Sequence, residues 1–206
     1  MKHQPKNKTE IRGIIFDWGG IFSYSGNPLG RPEIIKRLKR DKSSISIALA
    51  DAIDAFSRGK ITSRKYWHTY AQILNIPKYS PQRLRKIYLE YTPKYNMLDI
   101  LKLLSLKYPI ALLSNLNTDM KTVIIKDLGI DKYFKHMIFS NDVGLLKPEP
   151  KIYKLTLQRL GLPASKTLFI DDEKNNVDMA KKLGIKTHLF ISEKKCRLRL
   201  KRLKLL

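Results

Sequence analysis

The chain has 206 residues, enough for one mid-sized domain or one domain carrying an insertion, and its 43% hydrophobic and 29% charged content excludes general disorder. Lysine and arginine total 41 against 18 acidic residues, a formal charge of +23 that attracts polyanions of any kind, yet the basic residues are spread along the chain as on an ordinary lysine-rich surface. A single cysteine, Cys196, excludes an internal disulfide, the N-terminal residues lack the apolar stretch of a secretory signal, and no run is long enough to span a bilayer, so the expectation is a cytoplasmic protein without a membrane span.

Ile11–Phe16 reads as a short buried strand, followed at once by Asp17 and the flexible pair Gly19-Gly20. From about residue 24 to residue 95 helical periodicity takes over. It predicts helices at Arg31–Arg40, Ser44–Phe56, Ser63–Leu74 and Gln82–Tyr91, the last with Leu84, Ile87, Tyr88 and Tyr91 on one face. Met97–Leu106 is apolar nearly all round, which predicts a helix buried against a sheet. Pro109–Ser114 is a second buried strand. After it, Thr118 or Asp119 can cap a helix whose apolar face is Met120, Val123, Ile124 and Leu128, with Gly129 as its stop. A shorter third strand is predicted at His136–Ser140, then a helix that Pro150 opens and Gly161 closes after Leu160. Thr167–Ile170 is a fourth strand, followed by a helix to Leu183-Gly184 and a fifth strand at Lys186–Ile191. In the basic run from Lys194 onward the leucines at 198, 200, 203, 205 and 206 scatter around a helix, so this is a poor membrane helix and a better terminal element docked on the domain.

Strand alternating with helix predicts an α/β fold, a three-layer Rossmann-like parallel sheet covered on both faces. The helical stretch between the first two strands predicts an inserted cap over the sheet's carboxyl edge. The expected organisation is a core of residues 11–23 and 95–192, a helical cap of residues 24–94 and a basic C-terminal tail of residues 193–206.

In an open parallel sheet, ligands bind beyond the carboxyl ends of the strands. Four strands, or the loops after them, bring polar residues there: Asp17, Ser114-Asn115, Lys147 and Asp171-Asp172. Each taken singly is a helix-capping residue as readily as a ligand. Together an acid, a hydroxyl, an ammonium and a carboxylate pair compose a site for a phosphate and a divalent cation.

Phe16-Asp-Trp-Gly-Gly-Ile-Phe22, Leu112-Leu-Ser-Asn115, Lys147-Pro148 and Phe169-Ile-Asp-Asp-Glu-Lys-Asn-Asn176 resemble, in order and spacing, the four motifs of the haloacid dehalogenase-like (HAD) hydrolase superfamily. The helical insertion after the first motif is similar to the small α-helical cap of one large subgroup. The resemblance implies a Mg²⁺-dependent phosphatase acting on a small phosphomonoester, a phosphorylated metabolite such as a sugar phosphate. By the same resemblance Asp17 would be a nucleophile that forms an aspartyl-phosphate, and Ser114 with the Asn115 backbone would bond the phosphoryl oxygens. Lys147 would neutralise developing negative charge and orient Asp17. Mg²⁺ would sit on Asp17, Asp172 and the backbone carbonyl of Gly19. Asn176 would support those ligands or the neighbouring carboxylates, and Asp171 would orient Lys147 or hold a metal-bound water.

One position departs from the pattern. The superfamily's first motif carries a second Asp two residues after the nucleophile, as general acid and base, and here that residue is Gly19. Losing a general acid costs about 10²- to 10⁴-fold in rate. Three readings follow: a phosphatase for esters with good leaving groups, a catalytically weak or inactive HAD-fold binding protein, or a 2-haloacid dehalogenase. The Asp172-type ligand counts against the last, because dehalogenases work without metal. The net charge alone suggests nucleic acid as a partner of a binding protein, and no motif adds to it. Trp18 can be a substrate platform or packing, and Tyr66 and Trp67 substrate contacts or cap core. His68 has no metal partner in view. Ser23 to Arg31 would be the hinge into the cap, with Arg31 and Arg58 as anion contacts or solvated surface.

Overall fold

The computed structural model describes residues 10–23, 42–73, 75, 80–89 and 97–206. The predicted helix at Arg31–Arg40, most of the hinge, and the side chains of Ile87, Tyr88 and Tyr91 lie outside them. Five strands form one parallel sheet: β1 Gly13–Phe16, β2 Ile110–Ser114, β3 His136–Phe139, β4 Thr167–Asp171 and β5 Lys186–Leu189. Their order is β3-β2-β1-β4-β5, with β1 at the centre. The three-layer α/β expectation is therefore met.

Buried parallel strands are apolar on both faces, and β1, β2 and β4 follow that rule. Ile14, Phe16, Ile110, Leu112, Leu168 and Ile170 face one side, against α4 (Leu98–Ser105), Ile124 and α9 (Glu193–Arg202). Ile15, Ala111, Leu113 and Phe169 face the other, against α7 (Pro150–Leu160) and α8 (Lys174–Lys182). Each large side chain fully buried this way contributes about 1.5–3 kcal/mol. The register sets the functional edge. Phe16 pairs with Leu112 on one side and Ile170 on the other, so Asp17 and Asp171 end adjacent strands level with each other.

Between β1 and β2, helices α1 (Lys42–Ser57), α2 (Ser63–Ile73) and α3 (Pro81–Leu89) bury a cluster of their own: Leu49, Phe56, Tyr66, Trp67, Tyr70 and Leu84. Phe56 stacks on Tyr66 with ring centroids 4.4 Å apart. No described helix is long and apolar enough to cross a membrane.

Helix α4 is buried against the sheet as expected, through Ile100, Leu101 and Leu104, while Leu103 and Leu106 are exposed. Several other local expectations need correction. Neither Thr118 nor Asp119 caps the next helix. Asn117 does, its side chain accepting from the Met120 backbone N–H, because α5 starts at Thr118 and the cap must precede it. Helix α5 (Thr118–Thr122) runs on as a π-helical turn over Val123–Asp127. The third strand stops at Phe139, and Ser140 opens the short helix α6 (Ser140–Val143). The fifth strand stops at Leu189. The terminal run does dock: α9 buries Cys196 and Leu200, and Leu205 follows it into the core, leaving Leu198 outside. Burial pushes the Cys196 thiol up to about 12, which keeps it a protonated packing group.

Candidate active site

The strand ends deliver their polar residues to one point. Asp17 follows β1 and is held by its own N–H to the Ile170 carbonyl, 2.9 Å away. Ser114, the last residue of β2, donates from Oγ to Asp17 Oδ1 at 2.6 Å. Lys147 Nζ lies 2.8 Å from the same Oδ1 and 2.6 Å from Asp171 Oδ2. All four residues are buried. Both contacts to Asp17 converge on Oδ1, which leaves Oδ2 on the side of Gly19.

Each member is held by neighbours that the sequence had already brought into view. Asn115 clasps the Lys147 backbone in both directions: its Nδ2 donates to the Lys147 carbonyl at 2.9 Å and its Oδ1 accepts from the Lys147 N–H at 2.8 Å. Asp171 accepts from the Glu173 N–H at 2.8 Å and from Asn176 Nδ2 at 3.1 Å on each oxygen. The Asn176 carbonyl in turn accepts from the Tyr153 hydroxyl at 3.1 Å. Asp171 thus orients Lys147, and Asn176 supports Asp171.

Asp172 is placed differently. It is half-buried beside Asp17 and Asp171, and one oxygen from each of the three lies within 4.8 Å of the others. Burial, then the charges of Asp17 and Asp171, push its carboxyl up to about 7. Burial likewise raises Asp17, against the pull of Lys147. Lys147 is raised, because two carboxylates outweigh its own desolvation. Three acids share one ammonium, so the cluster carries excess negative charge.

The two glycines after Asp17 have separate roles. Gly20 has φ +66, and a Cβ there would lie 2.0 Å from Asp172 Oδ2, so the backbone passes directly against that carboxylate. Gly19 has no positive φ, and among the described residues a Cβ would meet only Asp17 Oδ2, at 3.7 Å. The Gly19 carbonyl accepts from the Ile21 N–H at 2.7 Å.

Other candidates fall away from the edge. Trp18 is packing: it is 1% exposed and stacks on Phe22 at 5.5 Å. His68 is exposed on α2. Arg58 is committed to Asp54, Glu149 and the Gly144 carbonyl. Tyr66 and Trp67 are buried among the inserted helices, but Trp67 also donates to Asp119, a contact that sequence reasoning missed. Asp119 was legible only as a capping residue, because its partners lie far upstream in the chain.

A family model described as haloacid dehalogenase-like hydrolase matches residues 11–184. Phosphoglycolate phosphatase of Pectobacterium atrosepticum is 35% identical over 79 residues, 38% of this chain and 34% of that protein. A phosphorylated carbohydrates phosphatase of Thermotoga maritima is 39% identical over 61 residues, 30% of this chain and 28% of that protein. The chain therefore spans about a third of the length of the curated relatives it matches. Among solved structures, a HAD family enzyme of Bacteroides thetaiotaomicron in complex with magnesium and inorganic phosphate is 25% identical with TM-score 0.71, covering 89% of this chain and 96% of that one. A HAD-like family hydrolase of Porphyromonas gingivalis shares the fold at 21% identity and TM-score 0.75, covering 94% and 98%. The matched span takes in β1 to β4 and every residue of the edge just described, and this chain belongs to the haloacid dehalogenase-like hydrolase family.

Proposed function

We propose that the chain is a Mg²⁺-dependent phosphatase for a small phosphomonoester, with Asp17 as its nucleophile. One observation carries the reading. Ser114 and Lys147 grip Oδ1 of a buried Asp17, so that carboxylate is fixed in orientation with Oδ2 left for chemistry. The relatives named for phosphoglycolate and carbohydrate phosphates support the reaction class.

The donor set fits a hard divalent cation. Three clustered carboxylates exceed one ammonium in charge, and the atoms on offer are all oxygens. Asp17 and Asp172 would hold the ion, with the Gly19 carbonyl, because Asp171 already serves Lys147, Glu173 and Asn176. When bound, the ion would relieve the repulsion between the carboxylates and an incoming phosphate and draw charge from the phosphoryl oxygens.

The chain's own residues do the rest. A carboxylate oxygen of Asp17 bonds to phosphorus as the bond from phosphorus to the leaving oxygen breaks. Water then hydrolyses the aspartyl-phosphate, releasing inorganic phosphate and restoring Asp17. Ser114 and the Asn115 backbone bond the phosphoryl oxygens, and Lys147 neutralises the charge that builds on them. The leaving oxygen needs a proton unless it departs as a stable anion. Gly19 brings no carboxylate for that task, so the favoured substrates are phosphates with good leaving groups, such as acyl phosphates or sugars phosphorylated at the anomeric carbon. Helices α1 to α3 act as the cap that selects among them.

Some relatives are haloacid dehalogenases, and a buried Asp can also attack a carbon–halogen bond. Asp172 beside Asp17 favours phosphate. The test is turnover of p-nitrophenyl phosphate, acetyl phosphate and 2-chloropropionate, with Mg²⁺ and with EDTA. Mg²⁺-dependent phosphate release that disappears in Asp17→Asn is expected. Halide release, or phosphate release undiminished in Asp17→Asn, would overturn the reading.

A further inference from the structure

Away from the strand edge one more carboxylate is buried, and the chemistry above makes no use of it. Asp119 sits in the first turn of α5 at 4% exposure. Three side-chain donors on its two oxygens come from the cap. Ser63 Oγ at 2.8 Å and Trp67 Nε1 at 2.9 Å, both from α2, donate to Oδ2. Arg85 Nε, from α3, donates to Oδ1 at 2.9 Å. The next residue, Met120, is buried in the cap's own cluster beside Phe56, Tyr66 and Trp67.

The same helix then changes allegiance. Ile124, one turn on, is buried in the cluster beneath the sheet. The helix loosens from α to π over Val123–Asp127, the turn that carries Ile124 itself. π turns relax the regular hydrogen-bond ladder and are where a helix can bend or shift. Upstream, α5 is tied to the edge: Asn117 caps it, and Asn115 clasps the Lys147 backbone.

We infer that Asp119 is a positioning residue that makes the first turn of α5 part of the cap, so that the cap and the loop of residues 115–117 after β2 move together while the π turn absorbs the motion. A purely apolar contact can slide. A buried carboxylate with three donors cannot be shifted without stranding the buried Trp67 N–H and breaking the ion pair with Arg85. Cap movement therefore carries Thr118–Thr122 with it and pulls on Asn115, and through Asn115 on Lys147. A second tether at the far end of α1, where Ser140 Oγ donates to the Ser57 carbonyl at 2.7 Å and Arg58 pairs with Glu149, keeps the cap attached when the first is cut. The role rests on the phosphatase reading above, but the coupling itself does not.

Hydrogen exchange on the full chain tests it, in wild type, Asp119→Ala, Asp119→Asn and Arg85→Gln. In Asp119→Ala, amides of residues 63–73 and 118–122 should quicken together by about tenfold or more, with β1, β2 and β4 changed by less than about twofold. Asp119→Asn, which can still accept from Ser63 and Trp67, should recover part of the protection, and Arg85→Gln should show a smaller form of the same pattern. In a Trp18→Phe background the Trp67 emission should shift in Asp119→Ala as its indole loses its acceptor. The Kd for inorganic phosphate should rise by about tenfold in Asp119→Ala, because the loop of residues 115–117 loses its register. Uniform quickening of sheet and cap would reduce Asp119 to a stabilising residue and overturn the proposal. So would residues 118–122 staying with the sheet while residues 63–73 alone quicken. A wild type that hydrolyses no phosphate would remove the phosphatase reading and leave the exchange pattern to decide the coupling.

Discussion

Two buried acidic centres in this chain are built on opposite principles. Asp119 is fully supplied: two neutral donors and one guanidinium meet its two oxygens. The strand-edge centre is undersupplied, with Asp17, Asp171 and Asp172 around a single Lys147. A supplied carboxylate fixes geometry. An undersupplied one keeps charge in reserve for something that arrives, at a cost to the resting fold. On the readings proposed above, the difference separates a residue that holds the cap from residues that handle a ligand.

Substituting one acid from each centre should give effects of opposite sign. Asp17→Asn should lower kcat by at least about 10⁴-fold. It should leave the metal-free melting temperature unchanged or higher, since one of the crowded charges is gone. Asp119→Ala should reduce stability by about 1–3 kcal/mol, because the Trp67 N–H is left buried without its acceptor. Activity assays and thermal melts on both variants check this, and a stability loss in Asp17→Asn equal to that in Asp119→Ala would erase the distinction.

The glycine pair sharpens the strand-edge side. A Cβ at residue 19 meets Asp17 Oδ2 only at ordinary contact distance, so Gly19→Asp should speed hydrolysis of a simple alkyl phosphate, by up to about 10²-fold, more than that of acetyl phosphate. Gly20→Ala, whose methyl would meet the Asp172 carboxylate at 2.0 Å, should instead weaken Mg²⁺ binding by about tenfold. Leaving-group profiles and metal titrations read the two. An unchanged leaving-group preference in a folded Gly19→Asp would show that protonation comes from elsewhere.

Much of this edge was legible in the sequence, for a physical reason. Catalytic groups in a parallel sheet sit at strand ends, and a short apolar run ending in Asp17, Ser114 or Asp171 marks a strand end by local pattern alone. The helix boundaries set by Pro150 and Gly161 were equally local. What was not legible depends on contacts across the chain. Asp119 looked like a capping residue because nothing near it in sequence announces Ser63, Trp67 and Arg85. Composition placed the apolar helix before β2 against the sheet but could not tell which of its leucines meets it, and Leu103 and Leu106 do not. The committed partners of Arg58 were hidden for the same reason.

The smallest expected effect is on the pH dependence of stability. Asp172 is raised from 3.8 to about 7 in the fold, so the native state holds a proton that the unfolded chain releases. That contribution is complete below pH 3.8 and is lost as pH rises through about 7. In EDTA the melting temperature of wild type, relative to Asp172→Asn, should therefore fall across that window by a few degrees, and Mg²⁺ should flatten the fall. A difference curve that is flat in EDTA would remove the claim of crowded charge.

If Asp17 is the nucleophile, it forms a covalent bond to phosphorus during turnover. Acid-quenching the enzyme during turnover of acetyl phosphate with Mg²⁺, followed by mass spectrometry of its peptides, reads that bond directly. A phosphoryl group on Asp17 is expected, formed and discharged at the rate of turnover and absent from Asp17→Asn. Turnover with no adduct on Asp17, or with an adduct on another residue, would contradict that role.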